Sequence, residues 1–188
     1  MFPASEWLEY LLPVGIKMVQ LRLRDMPEED MREEIRRSVD LCDSYNATLV
    51  VNDHWELAIE EEAPFVHLGQ EDLDDADIHA IRSAGIRLGI STRDHLDLDR
   101  ALMLEPDYIT LGPIHQSKTR HGYPLGLEPI AEWKELIGHV PLCAVGGITL
   151  KRAAAVFDAG ADMVAVTTDI TGHDDPELRV QEWLEKTE

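Results

Sequence analysis

The chain is short of cysteine, of lysine and of long apolar runs. Its two cysteines, Cys42 and Cys143, both sit in apolar patterns. That excludes a disulfide scaffold and points to core thiols in a reducing cytosol. The histidines show no ligand-type spacing, so a zinc site is not expected. The apolar runs are strand-length, so no membrane span is expected. Residues 1–6 carry no basic segment leading into an apolar one, so no signal peptide is expected and a cytoplasmic location is. Basic residues number 17 against 37 acidic ones, a formal charge of −20, and only five of the 17 are lysine. This excludes nucleic acid and anionic membranes as partners. It leaves room for an anionic small substrate, provided a local basic cluster or a cation receives it. There is no Gly-x-Ser-x-Gly elbow, no Walker loop and no Cys/His arrangement for nucleophilic catalysis.

What the chain does have is regular alternation. With 44% hydrophobic residues in 188, it is long enough for one globular domain, 1–188, with a sizeable core. Seven short apolar runs bounded by Gly, Pro, Asp or Asn predict strands at 17–23, 47–52, 65–69, 87–91, 107–113, 141–147 and 163–168. They read as nearly continuous apolar runs, as parallel strands covered on both faces do. Eight helices are predicted, at 5–12, from Pro27 through Cys42, and at 54–61, 77–84, 94–104, 127–137, 150–159 and 175–186. Ser5 is a candidate N-cap for the first. One strand per helix indicates an α/β barrel rather than an open sheet. The chain opens on a helix where such a barrel opens on a strand.

In a barrel of this kind the chemistry follows the strands' C-terminal ends. Asp53 and Asp72 each close a strand, and parallel neighbours bring both to one rim. A converging carboxylate pair suits a hard cation such as Mg²⁺, which usually arrives with phosphate. Each acid taken singly also reads as a helix cap. Gln20, Arg22 and Arg24 alternate and share one strand face, offering donors to an anion. Gly146-Gly147 lets backbone N–H groups approach a phosphate before a helix start, and Thr167-Thr168 adds hydroxyls on the next strand. Ser117, Lys118, Thr119 and Arg120 form a hydroxyl-rich cationic loop, with Lys118 read as solvated. His115 is a structural or solvated histidine before it is a general base, and His67 a hydrogen-bonded core residue.

Several of these stretches occur together in one family. Val19-Gln-Leu-Arg22, Val51-Asn-Asp53, His67-Leu-Gly-Gln-Glu-Asp72, Leu88-Gly-Ile-Ser91, Leu111-Gly-Pro113 and Ala144-Val-Gly-Gly-Ile148 stand in the order and approximate spacing of the thiamine-phosphate synthases. The chain resembles that family along essentially its whole length. The resemblance implies a (β/α)8 TIM barrel, here apparently without its first β-strand. It implies a transferase that joins 4-amino-5-hydroxymethyl-2-methylpyrimidine diphosphate to 4-methyl-5-(2-hydroxyethyl)thiazole phosphate, giving thiamine phosphate and pyrophosphate. Gln20, Arg22 and Arg24 would bind the diphosphate, with Asn52 at the pyrimidine. Asp53 and Asp72 would hold Mg²⁺. Ser91 would lie near the reacting carbon and the leaving group. Ser117 and Thr119 would meet the thiazole phosphate region and Arg120 the diphosphate, leaving Ser91, Arg22 and Arg120 as the catalytic set. Gly147, Thr167 and Thr168 would hold the thiazole phosphate. Arg24 and Arg120 stand where lysine is usual, and His115-Gln116-Ser117-Lys118-Thr119 replaces the usual Phe-Pro-Thr-x-Thr. Two alternatives stay open: a non-catalytic homologue that binds thiazole or thiamine phosphate as a regulator, and a thiazole tautomerase, which would want a histidine at Pro113. Self-association is also open.

Overall fold

Short β-branched runs followed by amphipathic segments fold into alternating strands and helices. The computed structural model describes residues 4–116 and 122–187, and of Ala4 only the backbone. The chain divides into two compact units, at 1–88 and 89–188, with the boundary inside one strand. In the first unit, helix α1 (Ala4–Leu11) precedes β1 (Met18–Leu21), α2 (Glu28–Ser44), β2 (Thr48–Asn52), α3 (Trp55–Glu60), β3 (Phe65–Leu68) and α4 (Ile78–Ser83). Strand β1 pairs with β2 and β2 with β3, all parallel. Two 3-10 turns, Leu12–Val14 and Asp72–Asp74, supplement these elements.

In the second unit, β4 (Arg87–Thr92) begins just before the boundary. It is followed by α5 (His95–Met103), β5 (Tyr108–Leu111), α6 (Glu128–Ile137), β6 (Leu142–Val145), α7 (Leu150–Asp158), β7 (Met163–Ala165), α8 (Thr168–Thr171) and α9 (Pro176–Thr187). Strands β4 to β7 pair in sequence order, all parallel. All seven predicted strands are present, most trimmed by a residue or more at the ends. All eight predicted helices are present, and the four-residue α8 is additional among the described residues.

Each unit has its own apolar centre. Leu49, Val50, Val51, Val66 and Leu68 are buried in the first; Ile109, Leu111, Leu142 and Ala144 are buried in the second. The helices contribute one apolar stripe each, such as Ile35 and Cys42 on α2 and Ile130, Trp133 and Ile137 on α6. Both cysteines are buried and neither forms a disulfide among the described residues. Helix α2 opens with Glu28, Glu29 and Asp30, acids that favour a helix start through the backbone dipole. Its outer face is tied to α3 by Arg32 and Arg36, which reach Glu60 and Glu61. Helix α1 packs on α2, and Ser5 lies inside it rather than at its cap. The Ser5 backbone N–H and hydroxyl both donate to the Glu34 carboxylate of α2. No helix among the described residues is long and apolar enough to cross a membrane.

Candidate active site

The strand register of the first unit brings its polar residues level. Leu21 pairs with Val51, Val51 with Val66, and Asn52 with His67. Everything that follows these positions therefore emerges at one end of the three strands. Strand β1 stops at Leu21, but the alternation continues beyond it. Leu21 and Leu23 are buried while Gln20, Arg22 and Arg24 are exposed on the opposite face. Asn52 and His67 are buried, His67 within β3 as the sequence predicts.

Asp53 takes a left-handed backbone, with φ of 69°. Aspartate tolerates this conformation better than most residues. Its N–H donates to the His67 carbonyl at 2.9 Å, extending the ladder one step past β2. The twist places the N-cap of α3 on His54, so Asp53 is not that helix's cap. The His54 ring Nε2 lies 3.3 Å from the Leu23 carbonyl, linking the segment after β2 to the segment after β1. Asp72 is not a cap of α4 either; Asp77 fills that role, accepting from the Ala80 N–H at 2.9 Å. Instead Asp72 folds back, and its Oδ2 accepts the Gly69 N–H at 2.9 Å. A Cβ at position 69 would stand 2.9 Å from that same oxygen, so glycine is what lets the carboxylate sit there.

Freed from capping, the two acids meet. Burial pushes the Asp53 carboxyl above its ordinary range; the charge of Asp72 and a hydrogen bond between the two side chains push it further. Arg22 and His54 act in the opposite direction, so both lie within electrostatic reach of the pair. The sequence expectation of a converging acid pair with Arg22 nearby is met within one unit. Two hard-oxygen donors held together at a cost in repulsion are a donor set that a divalent cation would relieve. Among the described residues no third His, Cys, Asp or Glu joins them to form a larger cluster. A cation held here would draw the rest of its oxygen ligands from water or phosphate.

In the second unit Ser91 sits next to last in β4, half-buried. The Thr110 hydroxyl of β5 donates to Ser91 Oγ at 3.3 Å. Behind it, Thr92 Oγ1 donates to the Thr110 carbonyl at 3.0 Å, and the Trp133 indole N–H donates to Thr92 Oγ1 at 2.9 Å. Thr92, Thr110 and Trp133 are all buried. Sequence reasoning gave these three no role; the only signal was a hydroxyl in each of two apolar strands.

Strand β6 ends at Val145, and Gly146 and Gly147 turn with φ of 93° and 61°. A Cβ on Gly147 would stand 2.4 Å from the Gln116 carbonyl oxygen, so the close approach of the two segments requires glycine. Arg152 Nη1 of α7 donates to the Gly147 carbonyl at 2.7 Å. The His115 N–H donates to the Gly146 carbonyl at 3.0 Å. Burial and the charge of Arg152 lower the His115 pKa, favouring the neutral ring. Its Nε2 is buried without a hydrogen bond. Pairing of Val145 with Ala165 sets the glycine turn beside the segment that leaves β7. There Thr167 occupies the N-cap position of α8 and Thr168 opens it, both exposed. Strand β7 stops at Ala165, so these threonines belong to the turn and not to the strand. Ser117, Lys118, Thr119 and Arg120 lie outside the described residues.

Parallel strands alternating with helices, with polar and glycine-rich segments after the strand ends, mark the class of α/β-barrel enzymes whose chemistry sits at those ends. Comparison with known proteins narrows the class. A family profile described as thiamine monophosphate synthase matches residues 3–170. The chain is 48% identical over 186 residues to a thiamine-phosphate synthase of Rhizobium etli, covering 98% of this chain and 91% of that one. It is 42% identical over 182 residues to the thiamine-phosphate synthase of Escherichia coli K12, covering 96% and 86%. Its structure resembles that of a thiamine phosphate pyrophosphorylase from Pyrococcus furiosus, with a TM-score of 0.87, 26% identity, and coverage of 98% and 89%. A 3-hexulose-6-phosphate synthase, at 14% identity and a TM-score of 0.70, shares the fold. The chain belongs to the thiamine monophosphate synthase family, and its fold class is the α/β TIM-barrel type expected from the sequence.

Proposed function

We propose that this chain joins 4-amino-5-hydroxymethyl-2-methylpyrimidine diphosphate to 4-methyl-5-(2-hydroxyethyl)thiazole phosphate, forming thiamine phosphate and releasing pyrophosphate in the cytosol. Beside the family membership, the observation that carries this reading is the Asp53–Asp72 carboxyl pair with Arg22 within electrostatic reach. Helix capping does not account for the pair, because both caps fall on other residues.

In the reaction, the bond from the pyrimidine methylene carbon to the diphosphate oxygen breaks, and the electron pair leaves with pyrophosphate. The electron-rich aminopyrimidine carries the resulting cation, and the thiazole nitrogen donates its lone pair to the same carbon. No strong base or nucleophile is required of the protein, which agrees with the lack of a triad or zinc motif. Asp53 and Asp72 would hold Mg²⁺, which when bound supplies positive charge against the departing diphosphate. Arg22, with Gln20 and Arg24 on the same exposed face, donates hydrogen bonds to diphosphate oxygens and stabilises the charge that builds there. We assign Arg120 the same task. Asn52 orients the pyrimidine. Ser91, steered by Thr110, contacts the leaving oxygen. Gly147, Thr167 and Thr168 receive the thiazole phosphate through N–H and hydroxyl donors, and Ser117 and Thr119 complete that side. Holding two substrates in line is itself a large share of the acceleration.

The test is a pyrophosphate-release assay on the purified chain with both substrates, with and without Mg²⁺. Parent activity that is Mg²⁺-dependent and abolished in Asp72→Ala is the expected result. Full activity in Asp72→Ala removes the metal assignment. Binding of thiazole phosphate with no turnover replaces the synthase reading by that of a non-catalytic binder.

A further inference from the structure

We infer that Asp169 is a positioning residue for the phosphate half of the site, locking the turn that opens α7 to the turn that opens α8. The inference rests on the synthase reading above, and specifically on Gly147, Thr167 and Thr168 as the phosphate contacts.

Asp169 directly follows Thr167-Thr168 and is the second residue of α8. One of its carboxylate oxygens, Oδ2, gathers three donors from two other elements. It accepts the N–H of Leu150, the first residue of α7, at 3.3 Å. It accepts the indole N–H of Trp183, a buried residue of α9, at 2.9 Å. Arg179 Nε, also on α9, lies 3.7 Å away, and this buried nitrogen makes no hydrogen bond of its own. The Asp169 side chain is only 11% exposed.

Two observations make this more than a packing contact. The first is that α7 lacks a cap from its own sequence. Thr149 holds the N-cap position but makes no side-chain cap bond. The carboxylate that serves the α7 N-terminus comes from α8, 19 residues on. The second is that α8 cannot fix its own position. It has four residues, none of them buried, and a single isolated turn is unfavourable to form. Asp169 ties it to α7 through Leu150 and to α9 through Trp183. Gly147 lies three residues before Leu150, and Thr168 lies next to Asp169. The carboxylate therefore sets the separation between the two sets of phosphate donors.

The charge balance is consistent with this role. A lone carboxylate next to a phosphate contact would repel the ligand. Here Arg179 and two N–H groups offset that charge. Arg179 is itself held by Glu182, whose carboxylate accepts from Nη1 at 2.9 Å. Position and neutralisation both run through α9, a helix that places no residue among the proposed substrate contacts.

The experiment compares Asp169→Ala and Trp183→Phe with the parent chain, varying each substrate separately. The expected result is a rise of roughly tenfold in KM for thiazole phosphate in Asp169→Ala and of about threefold in Trp183→Phe, with KM for the pyrimidine diphosphate and kcat within about twofold of the parent. A purely structural role would move both KM values and kcat together, and that outcome overturns the inference, as does an unchanged thiazole phosphate KM. Should Asp169→Ala fail to fold, Trp183→Phe decides, since it keeps the carboxylate and an aromatic ring in the α9 core. Calorimetric binding of thiazole phosphate to the parent and to Trp183→Phe separates this inference from the synthase reading. A parent that binds but does not turn over ends the synthase reading, and about threefold weaker binding in the variant still upholds the role of Asp169. Equal binding in the two proteins refutes it.

Discussion

Replacing Asp53 by asparagine should stabilise the metal-free protein at neutral pH while ending its activity. Asparagine accepts the left-handed backbone that Asp53 adopts at φ 69°, so the turn after β2 survives the change. What is lost is one negative charge. Two full carboxylates about 4 Å apart in a surroundings of effective dielectric near 20 repel by about 4 kcal/mol. Arg22 and His54 offset part of this at Asp53. The net gain on removing the charge is then about 1–2 kcal/mol. For a chain of this length that is a rise in Tm of roughly 3–6 °C. The sign follows from linkage. The folded state holds the Asp53 proton more tightly than the unfolded chain does, so the carboxyl favours folding only while protonated. That advantage is complete below the ordinary carboxylate range and is lost as the pH rises through the elevated folded value. The gain in Asp53→Asn should therefore be full at pH 7.5 and shrink near pH 4. Thermal unfolding followed by circular dichroism at both values reads it directly. Millimolar Mg²⁺ should raise the Tm of the parent and leave Asp53→Asn nearly unmoved. A variant less stable than the parent at pH 7.5 without Mg²⁺ would refute the reasoning and return Asp53 to a structural role.

Three further outcomes follow from the geometry. Gly147→Ala places a Cβ 2.4 Å from the Gln116 carbonyl at a left-handed φ of 61°, so it should lower stability by about 1–3 kcal/mol and weaken thiazole phosphate binding, read by denaturant titration and calorimetry. Trp133→Phe removes the indole donor to buried Thr92 and should cost about 1–2 kcal/mol in urea unfolding. Asp162 accepts from Lys134 Nζ and from the Leu142 N–H, and these partners hold its carboxyl below the usual range. Asp162→Asn should thus lower the Tm at pH 7, and the difference from the parent should close as the pH falls through the depressed folded value, where the parent loses the same contribution.

Most of the frame was legible because strands and long helices announce themselves over many residues. The runs Leu49-Val50-Val51 and Phe65-Val66 are apolar, and the polar residues and acids after them stand out for that reason. Their meeting was inferable because parallel neighbours share a rim. What sequence reasoning left ambiguous was capping, and local geometry at each acid resolved it. The left-handed turn at Asp53 shifts the α3 cap to His54, and Gly69 draws Asp72 back toward β3. The four residues of α8 are too few to show a helical period, so Thr167 and Thr168 read as the end of a strand. Asp169 was missed for a related reason. An acid after two threonines is unremarkable in the linear chain, and its partners lie 14 and 19 residues distant. The Thr110 hydroxyl that steers Ser91 was likewise hidden, since a threonine in an apolar strand reads as a β-former.

The buried thiols have a practical consequence. Burial pushes the Cys42 thiol up to about 11, with the charge of Asp43 adding to the effect. At neutral pH almost no thiolate forms there, and alkylating reagents act on the thiolate. Cys143 is 6% exposed within β6 and is also shielded from reagent. The native protein should stay unlabelled by maleimide until it unfolds. A cysteine introduced at an exposed position such as Glu177 would then take a fluorophore or spin label alone, with neither native cysteine removed. The same shielding makes the rate of native thiol modification a clock for global opening of the two cores.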